Sequence, residues 1–131
     1  MQDVMQRLPL LAERRKALGR TLSGGQRQLL AVGQALMAQP KVLLLDEPTA
    51  GLSPQAAEDL FAMVCRIRDS GIAVLMVEQN VKSALKMADE AIALESGRLV
   101  LHKRADELLN DPNIERLFLG GAHAAPAATA V

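Results

Sequence analysis

Val42-Leu43-Leu44-Leu45-Asp46-Glu47 sets four aliphatic residues ahead of two carboxylates, and Ile72-Ala73-Val74-Leu75-Met76-Val77-Glu78-Gln79-Asn80 repeats the design with six apolar residues and three polar ones. An apolar run of this length that does not alternate predicts a parallel strand buried on both faces. Between the two runs, Ala57, Leu60, Phe61, Val64 and Ile67 recur at helical spacing. Pro54 suits the first turn of that helix and Ser70-Gly71 its end. Strand, helix and strand within this length make a βαβ crossover, expected to be right-handed. The fold class is therefore α/β, with a mostly parallel sheet flanked by helices.

Outward from this unit, residues 26–38 predict a helix that starts at a glycine pair and stops before Pro40. Val81, Ala84, Leu85 and Ala88 predict a short amphipathic helix. Residues 91–95 and 98–101 then predict a hairpin turned at Ser96-Gly97. Short helices are expected over residues 105–109 and 113–119, and the Ala- and Pro-rich tail, residues 120–131, is expected to be disordered.

Bulk properties narrow the function. The 131 residues suffice for one domain with a core. Fifteen basic and fifteen acidic side chains cancel, which leaves no electrostatic footprint for nucleic acid or an anionic membrane. Phe61 and Phe118 are the only aromatics, so no base-stacking platform is expected. The single Cys65 excludes an internal disulfide or a cysteine zinc site and reads as a packing residue. The first residues have no signal-peptide pattern, and the longest apolar run, 72–77, is far short of the ~20 residues that span a bilayer. The chain reads as cytoplasmic, without direct membrane insertion. The charged run Glu13-Arg14-Arg15-Lys16 reads as a solvated helix face rather than a contact with a partner's helix.

Two places carry chemistry. In open parallel sheets ligands bind at the carboxyl ends of the strands, where Asp46-Glu47 and Glu78-Gln79-Asn80 are delivered. A carboxylate there suits hydrated Mg²⁺, and its neighbour, diverging from it, could orient or deprotonate water. The plainer reading is a polar turn before Pro48. The second place is Leu22-Ser23-Gly24-Gly25-Gln26 at a helix start, where free N–H groups and the helix dipole favour an anion. Its plainer reading is an N-cap and turn.

The two places occur in one order. Leu22-Ser23-Gly24-Gly25-Gln26-Arg27-Gln28, a helix, then Val42-Leu43-Leu44-Leu45-Asp46-Glu47-Pro48-Thr49 closely resembles the ABC ATPase family, signature motif followed by Walker B. The resemblance continues at Ala50-Gly51-Leu52-Ser53, the D-loop, and at Val77-Glu78-Gln79-Asn80, the switch loop. It implies a partial P-loop NTPase domain containing part of the helical signature subdomain. Residues 1–40 would be the signature region, 41–101 the core from Walker B to the switch loop, and 102–119 the C-terminal helices. It also implies ATP and Mg²⁺ as cofactors, with Asp46 positioning Mg²⁺ through water and Glu47 as general base. Ser23, Gly24, Gly25 and Gln26 would meet the phosphates of ATP held mainly by an opposing ABC ATPase subunit, in a head-to-tail dimer. Transmembrane permease subunits would be further partners, and the protein would sit peripherally on the inner face of the membrane through them.

Two positions depart from the general pattern. Gln79 stands where the family usually has His, and Ser53 where it usually has Asp. Gln79 can donate to a γ-phosphate but cannot carry a proton near neutral pH. Both departures, and Asp111-Pro112-Asn113-Ile114-Glu115-Arg116-Leu117-Phe118-Leu119-Gly120, are similar to the ATPase subunits of branched-chain amino-acid transporters. A urea or amide importer, or a non-enzymatic module completing a partner's ATP site, are the alternatives. No G-x-x-x-x-G-K-[ST] phosphate loop occurs in the 131 residues. In this family that loop precedes the signature, so the resemblance implies that Met1 falls partway through a domain and that the chain alone is inactive.

Overall fold

A computed structural model of the chain describes residues 4–5, 8–112 and 114. All but Ile114 of the helix expected over 113–119, and the whole tail expected to be disordered over 120–131, lie outside these. The chain divides into two compact units, Met1–Gln79 and Asn80–Val131.

The first unit contains α1 (Pro9–Glu13), a 3₁₀ turn (Gly19–Thr21), α2 (Gly24–Leu36), β1 (Val42–Asp46), α3 (Pro54–Asp69) and β2 (Ala73–Val77). β1 and β2 pair in parallel, Val42 opposite Ala73 through Asp46 opposite Val77. The predicted βαβ order is therefore present. Pro54 occupies the first turn of α3, and Gly71 follows the helix at φ 92°, a left-handed conformation that glycine adopts without a Cβ clash. Leu60, Met63, Val64 and Ile67 bury one stripe of α3 almost completely. Gly33 of α2 lets the N-terminal segment approach closely: a Cβ there would lie 2.8 Å from Leu11 Cδ1 and 3.1 Å from Leu8 Cδ1.

Three expectations are corrected. Leu43 is 4% exposed but Leu44 is 70% exposed, and Val42, Leu75 and Val77 are each more than half exposed. The strands are thus buried on one face, not two. Residues paired across a parallel sheet share a face. Val42, Leu44, Ala73, Leu75 and Val77 form the bare side, while α3 contacts β2 on the strand–helix layer. Uninterrupted aliphatic sequence reports that both faces are apolar; it does not supply the second covering layer. Further upstream, α1 ends at Glu13 with Arg14 as its C-cap, so Arg14, Arg15 and Lys16 are exposed in a turn rather than on a helix face. Finally, α2 starts at Gly24 rather than at Gln26, because Ser23 caps it.

The second unit contains α4 (Val81–Leu85), the antiparallel hairpin β3 (Glu90–Glu95) and β4 (Arg98–Arg104), and α5 (Ala105–Leu109). Ser96 (φ 49°) and Gly97 (φ 77°) make the two-residue turn at the predicted place. Leu85, Ala105, Leu108 and Ile114 form its core, with Val81, Ala91 and Leu101 packed against them.

Candidate site at the carboxyl edge of the parallel sheet

The register decides what meets at the strand ends. Because Asp46 lies opposite Val77, Asp46-Glu47 and Glu78-Gln79 leave the sheet at the same edge. The Glu47 N–H extends the pairing one step by donating to the Val77 carbonyl at 2.8 Å. Beyond it the chain turns at once: Ala50 N–H donates to the Glu47 carbonyl at 3.0 Å, and Leu52 N–H to the Thr49 carbonyl at 3.1 Å. Glu47 takes φ 43° to make this turn. A non-glycine residue in the left-handed region costs on the order of 1–2 kcal/mol, so the surrounding bonds must hold it there.

Those bonds come from two directions. Thr49 donates twice to one oxygen of Glu78, from its N–H at 2.9 Å and from its Oγ1–H at 2.7 Å. The Gln28 side-chain amide, on α2, donates to the Pro48 carbonyl at 3.1 Å. Pro48 itself is buried. Asp46 is exposed and Glu47 half-buried, and neither carboxylate has an ion-pair or hydrogen-bond partner among the described residues. Both stay available to a ligand. Gln79, exposed at the same edge, likewise has no side-chain partner there.

The glycine-helix start is built differently. Ser23 Oγ accepts the Gln26 N–H at 3.3 Å, and Gln26 Oε1 accepts the Ser23 N–H at 3.0 Å, a reciprocal capping box. The N-cap reading of Ser23 therefore holds, and it leaves the hydroxyl proton and the Gln26 amide group free to donate outward. Gly25 packs so closely on α3 that a Cβ would lie 3.0 Å from Ala56 Cβ. Gly24 is less confined: a Cβ there would lie 3.8 Å from Leu52 Cδ2. Ser53, the D-loop departure, caps α3 by accepting the Ala56 N–H at 3.3 Å. Ser and Asp cap equally well, so the helix start does not require the usual Asp.

The structure brings Asp46, Glu47 and Gln79 to one edge and keeps Ser23, Gly24, Gly25 and Gln26 together at one helix start. Among the described residues no side-chain hydrogen bond joins the two groups; Gln28 on Pro48 ties α2 to the turn after β1. Sequence reasoning missed Gln28, Thr49 and Glu78 as builders of the site. Their signal is polarity within the motif stretches, and the partners lie 20 and 29 residues apart. A cavity of about 380 Å³ lined by Leu8, Leu11, Leu29, Met63 and Arg66 contains none of the candidate residues.

Among the described residues no group of three or more His, Cys, Asp or Glu side chains could enclose an ion. A single free carboxylate at Asp46 still fits Mg²⁺, which commonly takes one or two carboxylates and completes its shell with waters and substrate phosphates.

Residues 1–50 match the ABC transporter family, the stretch that contains the capped glycine helix and the strand ending in Asp46-Glu47. Solved structures agree: the ADP conformation of MJ1267, an ATP-binding cassette of an ABC transporter, superposes with a TM-score of 0.74 at 32% identity, over 90% of this chain and 48% of that one. The chain belongs to the ABC transporter ATPase family, and its fold is part of that family's α/β domain. Within the family it is 45% identical to the high-affinity branched-chain amino acid transport ATP-binding protein BraG of Pseudomonas aeruginosa, over 92% of this chain and 52% of the relative. It is 38% identical to the lipopolysaccharide export system ATP-binding protein LptB of Escherichia coli K12, over 81% of this chain and 44% of the relative. The chain spans about half the length of the curated relatives it matches. No helix among the described residues is long and apolar enough to cross a membrane.

Proposed function

We propose that these residues supply the hydrolytic edge and the signature helix of an ABC ATPase that drives transport, with branched-chain amino acids as cargo and import as the direction. The observation that carries this reading is the register that delivers Asp46, Glu47 and Gln79 to one sheet edge with their side chains unengaged. In it, Asp46 holds Mg²⁺ through water, and Mg²⁺ supplies charge neutralisation at the phosphates. Glu47 polarises the attacking water as general base. Gln79 donates a hydrogen bond to the γ-phosphate without titrating near neutral pH. Ser23, Gly24, Gly25 and Gln26 present donors to ATP bound chiefly by a second ATPase subunit, and the glycines let that phosphate come close to backbone.

The cargo rests on the identity to BraG and on Gln79 and Ser53; a family that also includes an exporter's ATPase shows that cargo is not written in the hydrolytic edge. Permease subunits would provide both the cargo path and the attachment to the cytoplasmic face of the membrane. The 131 residues alone would bind ATP weakly and not turn it over, because no phosphate-loop donor is among them and two carboxylates face the triphosphate. The test is a complete cassette, made by joining the chain to the N-terminal half of the Pseudomonas aeruginosa relative. Glu47→Gln there is expected to lower phosphate release about 10²–10⁴-fold while ATP binding persists. Near-parent turnover in that variant would remove Glu47 from the role.

A further inference from the structure

We propose that Glu78 is a positioning residue for Glu47, clamping the turn after β1 to the end of β2 through Thr49; the proposal rests on the reading of Glu47 as general base. The geometry forms a closed ring. Glu47 N–H reaches the Val77 carbonyl at 2.8 Å, and two residues on, Thr49 reaches the next residue, Glu78, through both its N–H and its hydroxyl. The left-handed Glu47 is held between these two attachment points. A carboxylate oxygen that accepts two donors in a half-buried setting makes stronger bonds than a neutral acceptor at the surface. Glu78 also immediately precedes Gln79, so the same clamp sets where Glu47 and Gln79 stand relative to each other. A misplacement of about 1 Å is enough to cost on the order of 10²-fold in a reaction that depends on orientation.

Glu78 acts here through an acceptor oxygen, not through proton transfer or metal binding, and this makes the role separable. Gln at position 78 keeps an acceptor oxygen at the same reach, whereas Ala has none. The first measurement is amide hydrogen exchange by mass spectrometry on the dilute 131-residue chain, read over residues 47–52. Glu78→Ala is expected to speed exchange there roughly 10–100-fold, Thr49→Val to speed it less, and the double variant to go no further than Glu78→Ala. Glu78→Gln is expected to stay near the parent. Unchanged protection in Glu78→Ala would overturn the clamp, whatever the chain's activity. The second measurement is ATP turnover in the complete cassette. There Glu78→Ala is expected to lower kcat roughly 10–100-fold with KM for ATP little changed, and Glu78→Gln to recover most of it. Glu78→Gln as damaging as Glu78→Ala would make Glu78 a proton-transfer or metal-binding group and overturn the proposal. A parent cassette without turnover, alongside intact exchange results, would count against the ATPase reading and leave the clamp standing.

Discussion

Glu47 occupies a backbone conformation that its residue type disfavours, at φ 43°. Glycine at this position would release roughly 1–2 kcal/mol of left-handed strain and give back about 0.5–1 kcal/mol through its greater unfolded-state freedom. Glu47→Gly is therefore expected to stabilise the first unit by up to about 1.5 kcal/mol, read as a rise in the urea midpoint with an unchanged slope. The same variant removes the carboxylate proposed as general base. A residue that is retained at the expense of stability is what a functional position should look like. A lower midpoint in Glu47→Gly would mean that the Glu47 side chain, not the turn around it, is what holds this segment.

At the scale of elements, α2 carries two roles at one end. Ser23 caps the helix through Oγ, and the proposed phosphate contact uses its hydroxyl proton. Substitution separates the roles. Ser23→Ala is expected to cost about 1 kcal/mol through loss of the cap. Ser23→Asp keeps an acceptor at the N-cap and favours the helix dipole, so folding stability should match the parent within about 0.5 kcal/mol. Yet Asp cannot donate, and it sets a negative charge against the triphosphate, so turnover in the complete cassette should fall as far as in Ser23→Ala or further. Parent-level turnover in Ser23→Asp would reduce the motif's serine to a structural cap. Much of this element was legible beforehand. The glycine pair, the preceding serine and Gln26 three residues later are local signals, read within one helical turn. The boundary moved by two residues because the capping box draws both glycines into the helix.

Across the whole chain, both sheets expose apolar side chains, and in the first unit these form one bare face of the parallel pair. Leu44 at 70% and Leu75 at 58% exposure lie opposite each other, flanked by Val42 and Val77 on the same side. An aliphatic face beside strand edges with no third partner among the described residues favours association with other chains. The 131-residue chain is expected to self-associate as concentration rises. Paired Leu44→Thr and Leu75→Thr changes, which keep strand propensity and remove apolar surface, should shift it toward monomer in sedimentation velocity without loss of helical signal. A parent chain that stays monomeric at all concentrations would show that this face is not adhesive.

The sequence by itself determined the elements and their chemistry: the βαβ order, the capped glycine helix, the hairpin turn at Ser96-Gly97, and carboxylates at the end of an aliphatic strand. Each rests on periodicity, a cap or a turn residue, signals carried by neighbours within a few positions. The motifs in order were also enough to imply the family. Only the tertiary structure decided that Asp46 lies opposite Val77, that Glu47 is held left-handed, that Glu78 and Gln28 grip the turn beside it, and which sheet face stays bare. These depend on register and on contacts between residues 20 and 29 positions apart, or on whether a second layer is present to cover an apolar face. An apolar run of residues looks the same whether its outer face is covered or not, and a glutamate before a glutamine looks the same whether or not a threonine reaches it.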